Sequence, residues 1–318
     1  MSNTPATTSR SASDNTPPPR TQEESINLIA RLDALTNASD TTQFVNIQDY
    51  EAQHLAYMGR EYGRFMNQFE MFFCAMIDYA DNINYLDKSH WPINRGFQFV
   101  IAVRSLKQLR SAYMLLNSGA YEDAITILRS AYESFLRIVF VSCHPECPYN
   151  AYDAKGQTGT QFNATNMVNL DLKLNWTKYG IASAFAHSNK YQVWGDMIEL
   201  AEKNKRKLIT LTYEKDDDMI GLVINFMMFL VAVYLGAFDQ LFTPNISGHA
   251  ERDKLQPHID KLHEYAQISH EALRTHNVHE YWRQTAVDVE HIFELIKTMD
   301  ADPTLDWKKT WKGITGVP

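Results

Sequence analysis

The stretch Leu115–Pro145, LLNSGAYEDAITILRSAYESFLRIVFVSCHP, decides how this chain is read. It begins at the end of one apolar, helix-periodic run, breaks at Asn117-Ser118-Gly119, and starts a second run at Ala120 that continues to Cys143. A glycine just past the last periodic residue suits a left-handed helix C-cap, and Pro145 and Pro148 lie where a helix must already have ended. The pattern predicts helices over 94–117 and 120–143, folded back on each other as a tight antiparallel hairpin. Along the second of them Arg129, Glu133 and Arg137 follow at four-residue steps among apolar neighbours.

The angular positions separate those three charges. At about 100° per residue, Ile125, Leu128, Tyr132, Phe135, Leu136 and Val139 form the main apolar face. Arg129 stands at its edge, Glu133 one step further round, and Arg137 nearly opposite. Arg137 is therefore expected to be solvated and Arg129 partly desolvated. Intrahelical pairing at i,i+4 satisfies a solvated ladder for a few tenths of a kcal/mol per pair. Buried members need partners from other parts of the fold, because an unpaired buried charge costs several kcal/mol.

Outward from the hairpin, apolar residues recur at three and four rather than alternating, which predicts further helices at about 22–36, 47–82, 174–187, 194–205, 216–243, 251–275 and 278–299. The fold class expected is all-α, a multi-helix bundle around a largely buried central apolar helix. At most one short β element is expected, at Lys207–Tyr213, where β-branched residues alternate. The segment from Pro148 to Lys173 is the longest weakly patterned internal stretch, and its length suits a lid or an insertion. Residues 1–21, rich in Ser, Thr, Pro and Asn, read as a disordered tail. The organisation expected is a main helical domain over 22–243, a C-terminal helical pair over 244–300 packed on it, and a Trp-bearing tail over 301–318.

Met219–Phe238, MIGLVINFMMFLVAVYLGAF, carries no formal charge over twenty residues, the length of a bilayer crossing. Asn225 interrupts it, Asp216-Asp217-Asp218 precede it, Asp239 follows it, and neither flank has basic anchoring. A helix enclosed by other helices is equally apolar all round, and that reading is preferred over membrane anchoring.

Composition narrows the function classes. With 45% apolar and 21% charged residues and a net charge of -8, the chain lacks the broad basic face on which nucleic-acid binding rests, so RNA is a disfavoured partner. Three cysteines are too few for a disulfide framework, and the N-terminus lacks the apolar core of a secretory signal, so the compartment expected is the cytoplasm. Cys143-His144-Pro145-Glu146-Cys147 holds ligand-type side chains, but a zinc site requires a second matching pair. His258, His263, His270, His276, His279 and His291 form no His-Glu-x-x-His and read as a solvated helix face. No metal and no cofactor are expected.

The partners that Arg129 and Glu133 require are best sought at Ser183 and His187, which share a face at i,i+4 near the end of the helix over 174–187. A histidine in a last turn is favoured in its protonated form, and beside a carboxylate and a guanidinium it could act as a general acid or base. The same four residues could equally fasten two helices, and that reading is preferred.

The run Leu106–Arg137, with Ser118-Gly119-Ala120-Tyr121-Glu122-Asp123-Ala124 at the hairpin and Arg129-Ser130-x-x-Glu133 after it, resembles the bacterial helical family catalogued as domain of unknown function 5677. That resemblance, over about residues 90–240, implies a helical fold and a later Ser-x-x-x-His segment, matched by Ser183-Ala-Phe-Ala-His187, and it brings no activity. A more distant likeness is to HEPN helical domains, many of them ribonucleases of toxin and phage-defence systems with an Arg closely followed by a His. Arg137…His144, Arg252…His258 and Arg274…His279 have comparable spacing, but no Arg stands in that window before His187. The function expected is a cytoplasmic interaction or regulatory module, of bacterial defence or stress, that binds another protein or its own copy. The alternatives are a metal-independent ribonuclease using His187 and Arg129, and a protein anchored in a membrane by 219–238.

Overall fold

A computed structural model of the chain describes residues 47–89, 91–146, 162–164, 217–246, 252–275 and 280–316. Among them stand eight α-helices and no strand: α1 (Ile47–Glu61), α2 (Gly63–Asn84), α3 (Ile93–Ser118), α4 (Tyr121–Cys143), α5 (Asp217–Ala237), α6 (Arg252–Thr275), α7 (Glu280–Ala301) and α8 (Trp307–Thr315). The all-α helical bundle is the fold the periodicity predicted. The expected helices at 22–36, 174–187 and 194–205, and the β element at Lys207–Tyr213, lie outside the described residues.

The hairpin closes as its sequence requires. Gly119 takes φ 87°, a left-handed conformation that is cheap only without a Cβ. Its N–H donates to the Leu116 carbonyl at 3.1 Å, and the Ala120 N–H donates to the Leu115 carbonyl at 2.8 Å. Those two bonds satisfy carbonyls that the end of α3 would otherwise leave open, and they turn the chain directly into α4. His54 on α1, which is buried, contacts the Leu116 carbonyl through Nε2 at 3.0 Å and so joins α1 to the same corner.

Helix α5 packs against α2, α3, α4 and α6, which is why it can be apolar on nearly every side. Val223, Met227, Leu230, Val231 and Tyr234 are fully buried, while Asn225, the polar residue inside the run, faces out. The Tyr234 hydroxyl donates to the Ala131 carbonyl of α4 at 2.7 Å, so its polar end is satisfied inside the core. The run Met219–Ile246 is long and apolar enough to cross a membrane, and most of it is covered by protein.

Two helix boundaries differ from the sequence expectation. The helix expected over 47–82 is broken at Tyr62, which leaves helical geometry at φ -120° and ψ 17° before Gly63 opens α2. The break brings the Tyr57 and Tyr62 hydroxyls onto one oxygen of Asp217, at 2.5 and 2.9 Å, a contact between residues remote in sequence that local periodicity does not encode. The helix expected over 216–243 ends at Ala237 and continues as a wider π turn over Phe238–Phe242 and a 3₁₀ turn over Thr243–Ile246. Pro244 lacks the N–H that a continuing helix needs, and the Phe238 carbonyl accepts from the Thr243 N–H just before it, closing the π turn.

At the C-terminal end, the Asp306 carboxylate caps α8 by accepting from the Lys308 N–H at 3.0 Å. Trp307 and Trp311 are both buried, the first with its ring edge-on to His144 and the second to His291.

Candidate functional site

The charge ladder on α4 forms. Arg129 Nε donates to Glu133 Oε1 at 3.0 Å, and Arg137 Nη1 lies 4.0 Å from Glu133 Oε2. Side-chain exposure rises from 16% at Arg129 through 21% at Glu133 to 24% at Arg137, the order the helix angles predict. Arg137 nevertheless departs from the solvated charge expected of it. Its guanidinium lies 4.4 Å from the centre of the Phe162 ring, a cation–π contact supplied by a segment that helix geometry cannot anticipate. Ser183 and His187, the other two candidates, lie outside the described residues.

Several other ligand-type side chains make contacts of their own. Cys143 is buried, the His144 ring lies 4.6 Å from that of Phe140, and its Nδ1 is 3.3 Å from Glu146 Oε1, while Cys147 lies outside the described residues. On α6, His263 is exposed and contacts Asp239 at 3.1 Å, and His270 bridges to Glu290 of α7 at 2.5 Å. Among the described residues, no three His, Cys, Asp or Glu side chains converge as a metal would require.

The most buried polar network was not anticipated from the sequence. Arg95 Nη1 on α3 donates to Gln98 Oε1 at 2.7 Å, and Gln98 Nε2 donates in turn to the Ile138 carbonyl at 2.9 Å and to Ser142 Oγ at 2.6 Å, both on α4. Arg95 also pairs with Asp300 near the end of α7. Burial pushes the Asp300 carboxyl above the ordinary aspartate range against the pull of the Arg95 guanidinium. With Arg95, Gln98 and Ser142 all buried, the network works as a fastener of three helices and presents no group to a substrate. Its signal in the sequence was the i,i+3 pair Arg95/Gln98 at the start of an apolar helix.

Among the described residues, a groove of about 940 Å³ lies open between the C-terminal half of α2 and the N-terminal half of α3. Large apolar side chains stand exposed along it: Ile77 at 41%, Ile93 at 60% and Val100 at 64%. Trp91 and Phe99 are buried in its wall. At one end the Lys88 ammonium donates to the Asn84 and Leu86 carbonyls at 3.0 and 3.2 Å and lies 5.5 Å from the Phe99 ring and 5.9 Å from that of Trp91. Desolvation beside these rings lowers the Lys88 pKa, with Asp87 opposing. A concave, mostly apolar surface with a few polar groups at its edge has the character of a ligand seat, and a contiguous set of exposed apolar side chains is seldom idle. Sequence reading missed it because the three exposed side chains fit a helical period as well as core residues do.

No curated protein and no solved structure matches this chain. The matched segment begins beside the groove wall, takes in the hairpin and the Arg129–Glu133–Arg137 ladder, and ends before Ser183: residues 99–171 match the model of a family of unknown function, DUF5677.

Proposed function

We propose that this chain is a cytoplasmic interaction or regulatory module, not a nuclease, and that it takes a small apolar ligand in the groove between α2 and α3. The observation that carries the reading is the exposure of Ile77, Ile93 and Val100 along one cavity, where burying them against a ligand is favourable by about 25 cal/mol per Å² of apolar surface. The engagement of Arg129 by Glu133 supports a fastening role for the ladder, since a guanidinium already held by a carboxylate is less available to a phosphate. The enclosure of α5 by four helices supports a place for Met219–Phe238 inside protein.

A neutral solvatochromic dye such as Nile red tests the seat. Gly96 lines the groove, and a Cβ there would meet no atom within 4 Å, so Gly96→Leu fills the space while removing a helix-weakening glycine. The expected result is dye fluorescence on the native protein that falls severalfold in Gly96→Leu at an unchanged or higher melting temperature. Equal fluorescence from both proteins would remove the groove as the seat.

A further inference from the structure

We infer that the ligand of the α2–α3 groove is an apolar carboxylic acid, its carboxylate held by Lys88 and its hydrocarbon body laid along α3. The inference rests on the groove being the ligand seat. Two observations on Lys88, at one end of the groove, point to an anion. An ammonium has three protons to donate, and Lys88 gives two of them to the Asn84 and Leu86 carbonyls. Among the described residues no carboxylate lies within ion-pair distance of its Nζ, although the side chain is partly buried against two aromatic rings.

A carboxylate supplies the anion that Lys88 lacks, and a charge-assisted hydrogen bond is strongest where water is excluded. The apolar path then leads from Pro92 past Ile93, Gly96 and Val100 to Val103, about 15 Å of helix at about 1.5 Å per residue, which suits an alkyl chain of about ten to twelve carbons. Asp81 and Arg104, one acid and one base, also line the groove, so Lys88 leaves the lining residues with a net positive charge, which Asp87 beside it partly offsets. An aliphatic amine would meet that charge with repulsion, and a neutral alcohol would leave the ammonium unpaired.

The experiment is calorimetric titration of the full chain at pH 7 with decanoate and with decanol, both below the concentrations at which they aggregate. Decanoate is expected to bind about tenfold more tightly than decanol, Lys88→Gln to erase that difference by weakening decanoate, and Gly96→Leu to weaken both by at least tenfold. Equal affinity for acid and alcohol, or a preference for the acid that survives Lys88→Gln, overturns the carboxylate while leaving the groove as the seat. Binding of both probes undisturbed by Gly96→Leu overturns the groove itself. If neither probe binds at millimolar concentration while Nile red still reports the groove, the fatty-acid class is wrong; loss of both signals removes the seat as well.

Discussion

Arg95 and Asp300, 205 positions apart in the chain, are held together as an ion pair that joins the start of α3 to the end of α7. Gln98 extends the pair to α4, so three helices separated in sequence share one buried set of hydrogen bonds. Such a network specifies a packing more than it adds net stability, because both charges lose water on burial.

The network is therefore expected to respond asymmetrically to mutation. Arg95→Met leaves Gln98 Oε1 and the Asp300 carboxylate without their donor and should cost about 3 kcal/mol. Gln98→Leu, which strands Arg95 and Ser142, should cost about 2 kcal/mol. The double variant Arg95→Met/Asp300→Leu should regain most of the loss. Urea unfolding of the native protein, these variants and the single variant Asp300→Leu provides the numbers, and additive losses in the double variant would show that the pair is not a unit.

Gly236 on α5 lies where a Cβ would stand 2.8 Å from Cε2 of Phe293 on α7, whose ring is buried and meets Phe135 edge-on. In an exposed helix, Gly→Ala gains about 1 kcal/mol. Here the overpacking of a ring that cannot swing clear should outweigh that gain, for a net loss of about 1–2 kcal/mol. A melting temperature for Gly236→Ala at or above that of the native protein would mean the core yields there.

The hydroxyls of Tyr57 and Tyr62 hold the Asp217 carboxyl below the ordinary aspartate range, because they donate more strongly to its charged form than to its neutral one. A depressed folded-state value means that this contribution is whole above the ordinary aspartate pKa and is lost as pH falls through the lower folded value. Thermal melts between pH 6 and pH 2.5 should show a steeper acid-side decline in the native protein than in Tyr57→Phe/Tyr62→Phe. Superimposable pH profiles would exclude the linkage.

On the ladder, Glu133→Ala removes the carboxylate between two guanidiniums and should destabilise by about 1 kcal/mol, more than Arg137→Ala, which keeps the closer Arg129–Glu133 pair. The native protein and Arg129→Ala should both leave a mixed RNA substrate intact over hours without added metal. Cleavage by the native protein that is lost in Arg129→Ala and in a folded His187→Ala would establish the ribonuclease reading in place of the binding module.

Much of the fold was legible because its determinants are local. Asn117-Ser118-Gly119 requires a left-handed stop between two periodic runs, and the turn at Gly119 follows with both of its expected hydrogen bonds. The charge-free run of α5 predicted a largely buried helix, and the packing of four helices around it supplies the surroundings that such a composition needs. The order of exposure along Arg129, Glu133 and Arg137 came from the helix angle alone.

What the sequence determined by itself was thus the helical class, the hairpin and which face of each helix is apolar, since a 3.6-residue period and a glycine stop act within a few turns. Only the tertiary structure decided which apolar faces find partners. Ile77, Ile93 and Val100 have the same chemistry as core residues, and their exposure follows from the space left between α2 and α3. The same holds for Tyr62, where a carboxylate far along the chain outweighs helix continuity, and for Arg137, which Phe162 takes from solvent. Burial is a property of neighbours, and neighbours distant in sequence are fixed only when the chain has closed on itself.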